Sequence, residues 1–238
     1  MMGGGETMAT NEAPYVFGKR IVDLSLGVQD GTRGPPSTTA QVEITPARRG
    51  PGHWQASSFK GTLHTGSHVD SPRHVVAGAP LLAEIPLDRV IGEAVVFHLP
   101  NTPAHHGITV DELEACGVKV EHGSIVLIHS GWSDHMWGTP EFFTDSPWLT
   151  PEAAAWLVGC GPKAIGFDFS EEYIAGRSAD FTSEDFVTHR AILGQGVIIL
   201  EGLTHLGELP PTGAQFFAPF FKLAAEGAPA RFFALVED

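Results

Sequence analysis

Apolar and polar residues alternate over Ile21–Leu26 (IVDLSL), the period of two that marks a strand with one buried face. Gly27–Ser37 is rich in Gly and Pro and reads as loop. Gln41–Thr45 and Trp54–Thr62 read as strands on either side of a Pro/Gly turn at Arg49–Gly52. Short apolar runs of β-rich composition follow at Ala94–Leu99, Ile125–His129, Ala164–Phe169, Val197–Glu201 and Phe232–Val236. Between them lie helix starts. Thr109–Glu112 (TVDE) is a capping box, with Thr at the cap and Glu three residues on. Thr150-Pro151-Glu152 supplies a cap, then Pro at the first helical position, then an acid that complements the helix dipole. Ser183–Leu193 reads as a short helix closed by Gly194. Strands first, then strand–helix alternation, predict a mixed α/β fold rather than a purely doubly wound one. With no linker in view, residues 15–238 read as one domain behind a Gly-rich polar leader, residues 1–14, expected to be disordered.

Composition narrows the function classes. The chain has 238 residues, 42% hydrophobic and 18% charged, an ordinary globular balance with room for a sizeable core. Its formal net charge of −14 repels phosphate backbones, so no nucleic-acid partner is expected. The longest apolar runs, such as Gly92–Leu99, are far too short to cross a bilayer, so no membrane role is expected either. The opening residues lack the basic and apolar regions of a signal peptide. The two cysteines, Cys116 and Cys160, form no CxxC pair, which favours a reducing compartment. A cytoplasmic protein is the simplest reading.

Chemistry concentrates in Leu63–Val76 (LHTGSHVDSPRHVV), where His64, His68, Asp70 and His74 fall within eleven residues. Imidazole and carboxylate together suit Zn²⁺ or Mn²⁺. Gly66 and Ser67 permit a tight turn and Pro72 stiffens the exit, so ligands at i, i+4 and i+6 can meet at one point. On a regular helix i and i+6 diverge, which predicts a strand-to-loop geometry. Thr65 occupies the Glu position of an HExxH motif, excluding the helical zinc signature. Later in the chain, His189 falls on the Ser183–Leu193 helix and Glu201 ends an apolar strand, a common place for ligands in α/β folds. Spacing alone does not bring them to the first cluster. His105-His106 reads as a loop pair without a site role.

The segment HTGSHVDSPRH closely resembles the HxGTHxDxPxH motif of the cyclase-like metal hydrolases, a family that includes bacterial kynurenine formamidase and isatin hydrolase. Asp23-Leu24-Ser25, Ile125–Trp132 (IVLIHSGW), Ala164–Ser170 (AIGFDFS), and His189 with Glu201-Gly202-Leu203 resemble further family segments, so the likeness runs from about Ile21 to Leu206. The resemblance implies a mixed-sheet, swivelling β/β/α-type single domain. It also implies a first metal on His64, His68 and Asp70, with Asp70 bridging to a second on His189 and Glu201 in two-metal members. Relatives carry one metal or two. It makes His74 the acid/base, and implies a homodimer or larger assembly with loops of one subunit near the other's pocket. The implied reaction is hydrolysis of a small-molecule amide, either a cyclic amide or an aryl formamide. The metal would activate water and stabilise the tetrahedral oxyanion, while His74 passes a proton to the leaving nitrogen. A further ligand or a hydrogen-bond partner is the other role open to His74.

The chain departs from the family pattern at four places. Ser67 stands for Thr, His129 for a frequent Arg, and Gly31–Ser37 (GTRGPPS) lacks the aromatic of the kynurenine formamidase stretch. Glu171-Glu172-Tyr173 replaces a short polar continuation. Phe59, Trp132 and Phe169, with Trp54 and Tyr173, are candidate walls of the substrate pocket. Gly131-Trp132-Ser133-Asp134 fails the nucleophile-elbow pattern, and no phosphate-binding glycine motif occurs. A non-catalytic metal or ligand carrier, and a cyclase or isomerase on the same site, are the alternatives. Whether Gly27–Gly52 forms a lid is left open by the sequence.

Overall fold

The computed structural model describes residues 14–38, 40–173 and 181–237, so the leader expected over 1–14 lies outside the described residues but for Pro14. In chain order the strands and helices are β1 (Tyr15–Val16), β2 (Lys19–Asp23), β3 (Glu43–Arg48), β4 (Gln55–Lys60), β5 (His68–Asp70), β6 (Ile91–His98), β7 (Gly107–Ile108) and α1 (Val110–Ala115). There follow β8 (Ile125–His129), α2 (Trp132–Met136), α3 (Glu141–Thr144), β9 (Trp148–Leu149), α4 (Pro151–Gly159), β10 (Ala164–Phe167), α5 (Val187–Leu193), β11 (Ile198–Glu201), β12 (Ala214–Phe217), β13 (Gly227–Pro229) and β14 (Phe233–Val236).

Ten strands make one mixed sheet in the order β1-β2-β14-β12-β6-β8-β10-β11-β5-β13. Its centre, β6-β8-β10-β11, is parallel, and both flanks are antiparallel. The parallel block is apolar on both faces because it is covered on both. On β8, Ile125 and Leu127 enter one core cluster while Val126 and Ile128 enter the other, and all four are fully buried. Leu113 of α1, Leu157 of α4 and Ile192 of α5 pack on the second face.

The helix starts are those the sequence predicts. The Thr109 side chain accepts from the Glu112 amide, and Glu112 reaches back to the Thr109 amide. Thr150 caps α4 through the Ala153 amide, with Pro151 at the first position. One prediction needs correction. Ser183–Leu193 is two pieces, a 3₁₀ turn at Ser183–Asp185 and then α5, broken at Phe186, whose ψ of 69° is not helical. Both cysteines are free. Among the described residues no helix is long and apolar enough to cross a membrane.

β3 and β4 pair only with each other and nearly every residue on them is exposed. Their connecting turn holds the cis Gly50-Pro51 bond.

Candidate metal centre

Three strand ends of the parallel block converge at one edge. After β10, Asp168 accepts from the Ser130 amide (2.8 Å), the Ser130 hydroxyl (2.6 Å) and the Gly131 amide (2.8 Å), tying the end of β8 to the end of β10. Burial nonetheless pushes the Asp168 carboxyl up to about 7, because three hydrogen bonds do not replace bulk water. Glu201 ends β11. Beside it runs β5, antiparallel, with His68 directly opposite Glu201.

Strand geometry places the ligands. His68 and Asp70 are two residues apart on β5, so both side chains leave the same face, while Val69 enters the core on the other. His64 is brought back by the turn before β5. Gly66 there has a φ of +70°, and a Cβ on it would stand 2.4 Å from Val28 Cγ2. The turn is held by the hydroxyl kept at position 67: Ser67 Oγ donates to the Gly202 carbonyl (2.6 Å) and accepts from the Leu26 amide (2.8 Å).

The donors then meet. His64 Nδ1 lies 3.0 Å from Asp70 Oδ1, and His68 Nε2 lies 3.7 Å from Asp70 Oδ2 and 3.4 Å from Glu201 Oε2. Donors held about 2.0–2.2 Å from one tetrahedral cation stand about 3.3–3.6 Å apart, so these spacings suit a shared ion. Asp70 is fully buried, yet neither of its oxygens has a hydrogen-bond partner, and neither does His68 Nε2. A buried carboxylate without hydrogen bonds is costly, and a cation among His64, His68 and Asp70 removes that cost. The residues present therefore fit a divalent metal.

The other ring nitrogens are occupied in the manner of metal ligands. His68 Nδ1 donates to the Gly66 carbonyl at 2.8 Å, which leaves Nε2 a free lone pair. His64 Nε2 lies 3.3 Å from Glu226 Oε1, leaving Nδ1 toward Asp70. On α5, His189 places Nδ1 3.1 Å from Glu172 Oε1, and Glu172 also accepts from the His189 amide at 2.7 Å. His189 Nε2 faces Glu201 Oε1 at 2.9 Å and Asp70 Oδ2 at 3.9 Å. His74, at the end of the 3₁₀ turn Pro72–His74, stacks on His64 with ring centroids 4.5 Å apart and stands 5.6 Å from the His189 ring. It is the exposed member of the cluster.

Electrostatics follow from this crowding. Burial lowers the His64 pKa, but Asp70 more than offsets it and carries the ring up to about 9. Burial raises the acids, yet His68 and His64 hold Asp70 far below the carboxylate range, and His68 and His189 hold Glu201 at about 2. Without a cation, then, protonated imidazoles neutralise the carboxylates, and binding a metal releases those protons. His74 differs. Desolvation by its neighbours lowers its pKa from the ordinary histidine value, and Asp70 pulls it only partly back.

His64, His68, His74, His189 and Glu201 line a cavity of about 520 Å³. Its walls include Leu26, Trp137, Phe142, Phe143, Phe169 and Phe186. Pro35, Ser37 and Thr38 also line it, so part of the Gly27–Gly52 segment borders the pocket, whereas no residue of β3 within that segment lines it. Of the five aromatic residues expected on the wall, Phe169 is on it. Trp132 is a correction: as the first residue of α2 it is buried in the core, its Nε1 donating to the Phe142 carbonyl at 2.8 Å. Phe59, on β4, is a second correction, being exposed on the hairpin and away from this cavity. Trp54 and Tyr173 are exposed as well.

Three residues escaped the sequence reading of the site. Glu226 is 162 positions from His64, and only the pairing of β13 with β5 brings them together. Gly227 sits opposite Asp70, where a Cβ would stand 2.7 Å from His64 Cε1 and 3.0 Å from Asp70 Oδ1. A side chain there would occupy the ligand space. Glu172 was visible as an unusual acid, but not as the partner of His189.

Comparison with known proteins agrees with this architecture. The family model described as "Putative cyclase" matches residues 22–171. The chain is 31% identical over 174 residues to kynurenine formamidase of Geobacillus thermodenitrificans, covering 71% of this chain and 75% of that protein. It is 27% identical over 218 residues to kynurenine formamidase of Salinibacter ruber, covering 89% and 95%. The fold matches that of an isatin hydrolase solved with the product analogue thioisatinate, with a TM-score of 0.77 and 21% identity over 92% of each chain. The family model spans more than half of the chain, and with the kynurenine formamidase relative it shows that this chain belongs to the cyclase family.

Proposed function

We propose that the protein is a metal-dependent hydrolase of a non-peptide amide C–N bond, cleaving a small cyclic amide or aryl formamide. The observation that carries this reading is the convergence of buried, unpartnered donors, Asp70 Oδ1 and Oδ2 and His68 Nε2, beneath an aromatic cavity. The kynurenine formamidase relatives support the bond type.

His64, His68 and Asp70 would hold a first cation, and His189 and Glu201, with Asp70 between, a second. A mixed nitrogen and oxygen donor set suits Zn²⁺ or Mn²⁺. When bound, such a cation makes water nucleophilic near neutral pH and offsets charge developing on the carbonyl oxygen. The chain's residues supply the rest. Phe142, Phe143 and Phe169 hold an aryl group and exclude bulk water, and the cavity's size suits a one- or two-ring substrate. His74, neutral and open to the cavity, accepts the proton of the attacking water and delivers it to the departing nitrogen, which leaves poorly as an anion.

The experiment is elemental analysis of the purified protein, then hydrolysis of N-formylkynurenine, isatin and simple lactams before and after chelation. Stoichiometric Zn or Mn with chelator-sensitive turnover is the expected result. A protein that takes up no metal on reconstitution would refute the reading.

A homodimer in the cytoplasm is part of the same proposal. A free-standing two-stranded ribbon is marginally stable in water, and Phe59 on β4 (55%) and Trp54 just before it (62%) are exposed. A second copy covering that ribbon would account for both. Sedimentation of the intact protein is expected at about twice 25.4 kDa, and Trp54→Ser with Phe59→Ser is expected to shift it to the monomer. A monomeric wild type would rule the dimer out.

A further inference from the structure

Glu171 is left without a role by everything described so far. It is 1% exposed, lines the cavity, and its Oε1 has no hydrogen-bond partner. That oxygen stands 3.1 Å from His189 Nδ1, but Glu172 already takes the hydrogen bond there. Atoms of Glu171, His189 and Glu201 lie within 4.8 Å of one another. Glu201 Oε1 lies 2.9 Å from the other nitrogen of the same ring, Nε2, so two carboxyl groups crowd the His189 imidazole.

We infer that Glu171 is a ligand of the second cation, which would be held by Glu171, His189 and Glu201 beside the His64–His68–Asp70 position. The inference rests on the metal-hydrolase reading and extends it with a donor from the Glu171-Glu172 run, where the sequence departs from the family pattern.

Charge counting points the same way. Asp70, Glu171, Glu172 and Glu201 bring four carboxyl groups to one end of the cavity. With the imidazoles neutral as ligands, two divalent cations would balance all four as carboxylates, whereas one would leave protons to balance the rest. The added carboxylate also makes the second position richer in oxygen than the first, which favours Mn²⁺ over Zn²⁺ there. Glu172 is not free for this task, because it holds the His189 ring through Nδ1 and anchors the start of α5 through the His189 amide. Glu171 makes neither hydrogen bond, although its Oε1 also stands 3.1 Å from His189 Nδ1.

The test is titration of the metal-free, full-length protein with MnCl₂, followed by elemental analysis and electron paramagnetic resonance. Wild type is expected to take two Mn²⁺ per chain as a magnetically coupled pair. Glu171→Gln is expected to keep the first ion and bind the second at least about tenfold more weakly, losing the coupled signal. Thermal unfolding separates this from a folding defect: metal-free Glu171→Gln should melt no lower than metal-free wild type, since a like-charge repulsion is removed, while gaining less from Mn²⁺. Glu171→Asp, which keeps the charge, should recover part of the second uptake. Two ions in Glu171→Gln with unchanged affinity would overturn the assignment. A single ion in wild type would overturn it and leave the metal-hydrolase reading standing, and no ion at all would sink both.

Discussion

Asp70→Asn is expected to fold, to purify without its cation, and to lose at least about a thousandfold in turnover. The magnitude follows from what the cation supplies. A single preorganised donor to an oxyanion is worth about 10²–10³ in rate, and losing the metal removes both that stabilisation and the means of activating water. The structural case rests on Asp70 alone among the ligands facing both cation positions. Its Oδ1 is 3.0 Å from His64, and its Oδ2 is 3.7 Å from His68 and 3.9 Å from His189. Asparagine has the same shape, so the pairing of β5 with β11 and β13 survives. It replaces one oxygen with a donor, however, and removes the charge. The metal-free variant should also be about 1–2 kcal/mol less stable than metal-free wild type, because His64, 3.0 Å from Asp70 Oδ1 and carried up to about 9 by it, loses its charged partner. Metal content, turnover and thermal unfolding on one preparation check all three points. Wild-type metal content with wild-type turnover would remove Asp70 from the site.

How far the sequence reached depended on whether the signal was local. β8 was readable residue for residue because a parallel strand covered on both faces is an unbroken apolar run. The starts of α1 and α4 were readable because capping is settled within four residues. β5 was harder. Two of its three residues are His and Asp, so its strand character comes from pairing with β11 and β13 rather than from composition. β13, Gly-Ala-Pro, has poor strand propensity and is likewise fixed by its neighbour. The single helix expected over Ser183–Leu193 runs too long because helical composition continues through Phe186 while the backbone does not. The first ligand set was legible since the turn at Gly66 gathers it within eleven residues. Glu226 and Gly227 belong to the same centre but are delivered by sheet topology, which no local spacing encodes. Trp132 was misplaced for a related reason. Gly131, with a φ of +81°, starts α2 directly after β8 and turns the indole into the core.

His74→Ala is expected to keep its metal and lose about 10²–10⁴ in turnover, the usual worth of a positioned acid/base. Two features separate His74 from the ligands. Among the described residues its ring nitrogens have no hydrogen-bond partner, whereas each ligand histidine has one nitrogen committed to a carbonyl or carboxylate. It is also the exposed ring of the cluster, stacked on His64, with a nitrogen within 4.8 Å of donor atoms of Asp70 and of Glu226. Removing it should therefore leave the donor set intact. If its task is to protonate the departing nitrogen, the loss must depend on that nitrogen. Formanilides carrying electron-withdrawing ring substituents need less protonation as they leave, so the gap between wild type and His74→Ala should narrow along such a series. A purely structural role would lower all substrates alike, and a ligand role would lower metal content first. The slope of log kcat against leaving-group pKa, steeper in His74→Ala than in wild type at equal metal content, is the result that assigns the proton to His74. Equal slopes would take it away.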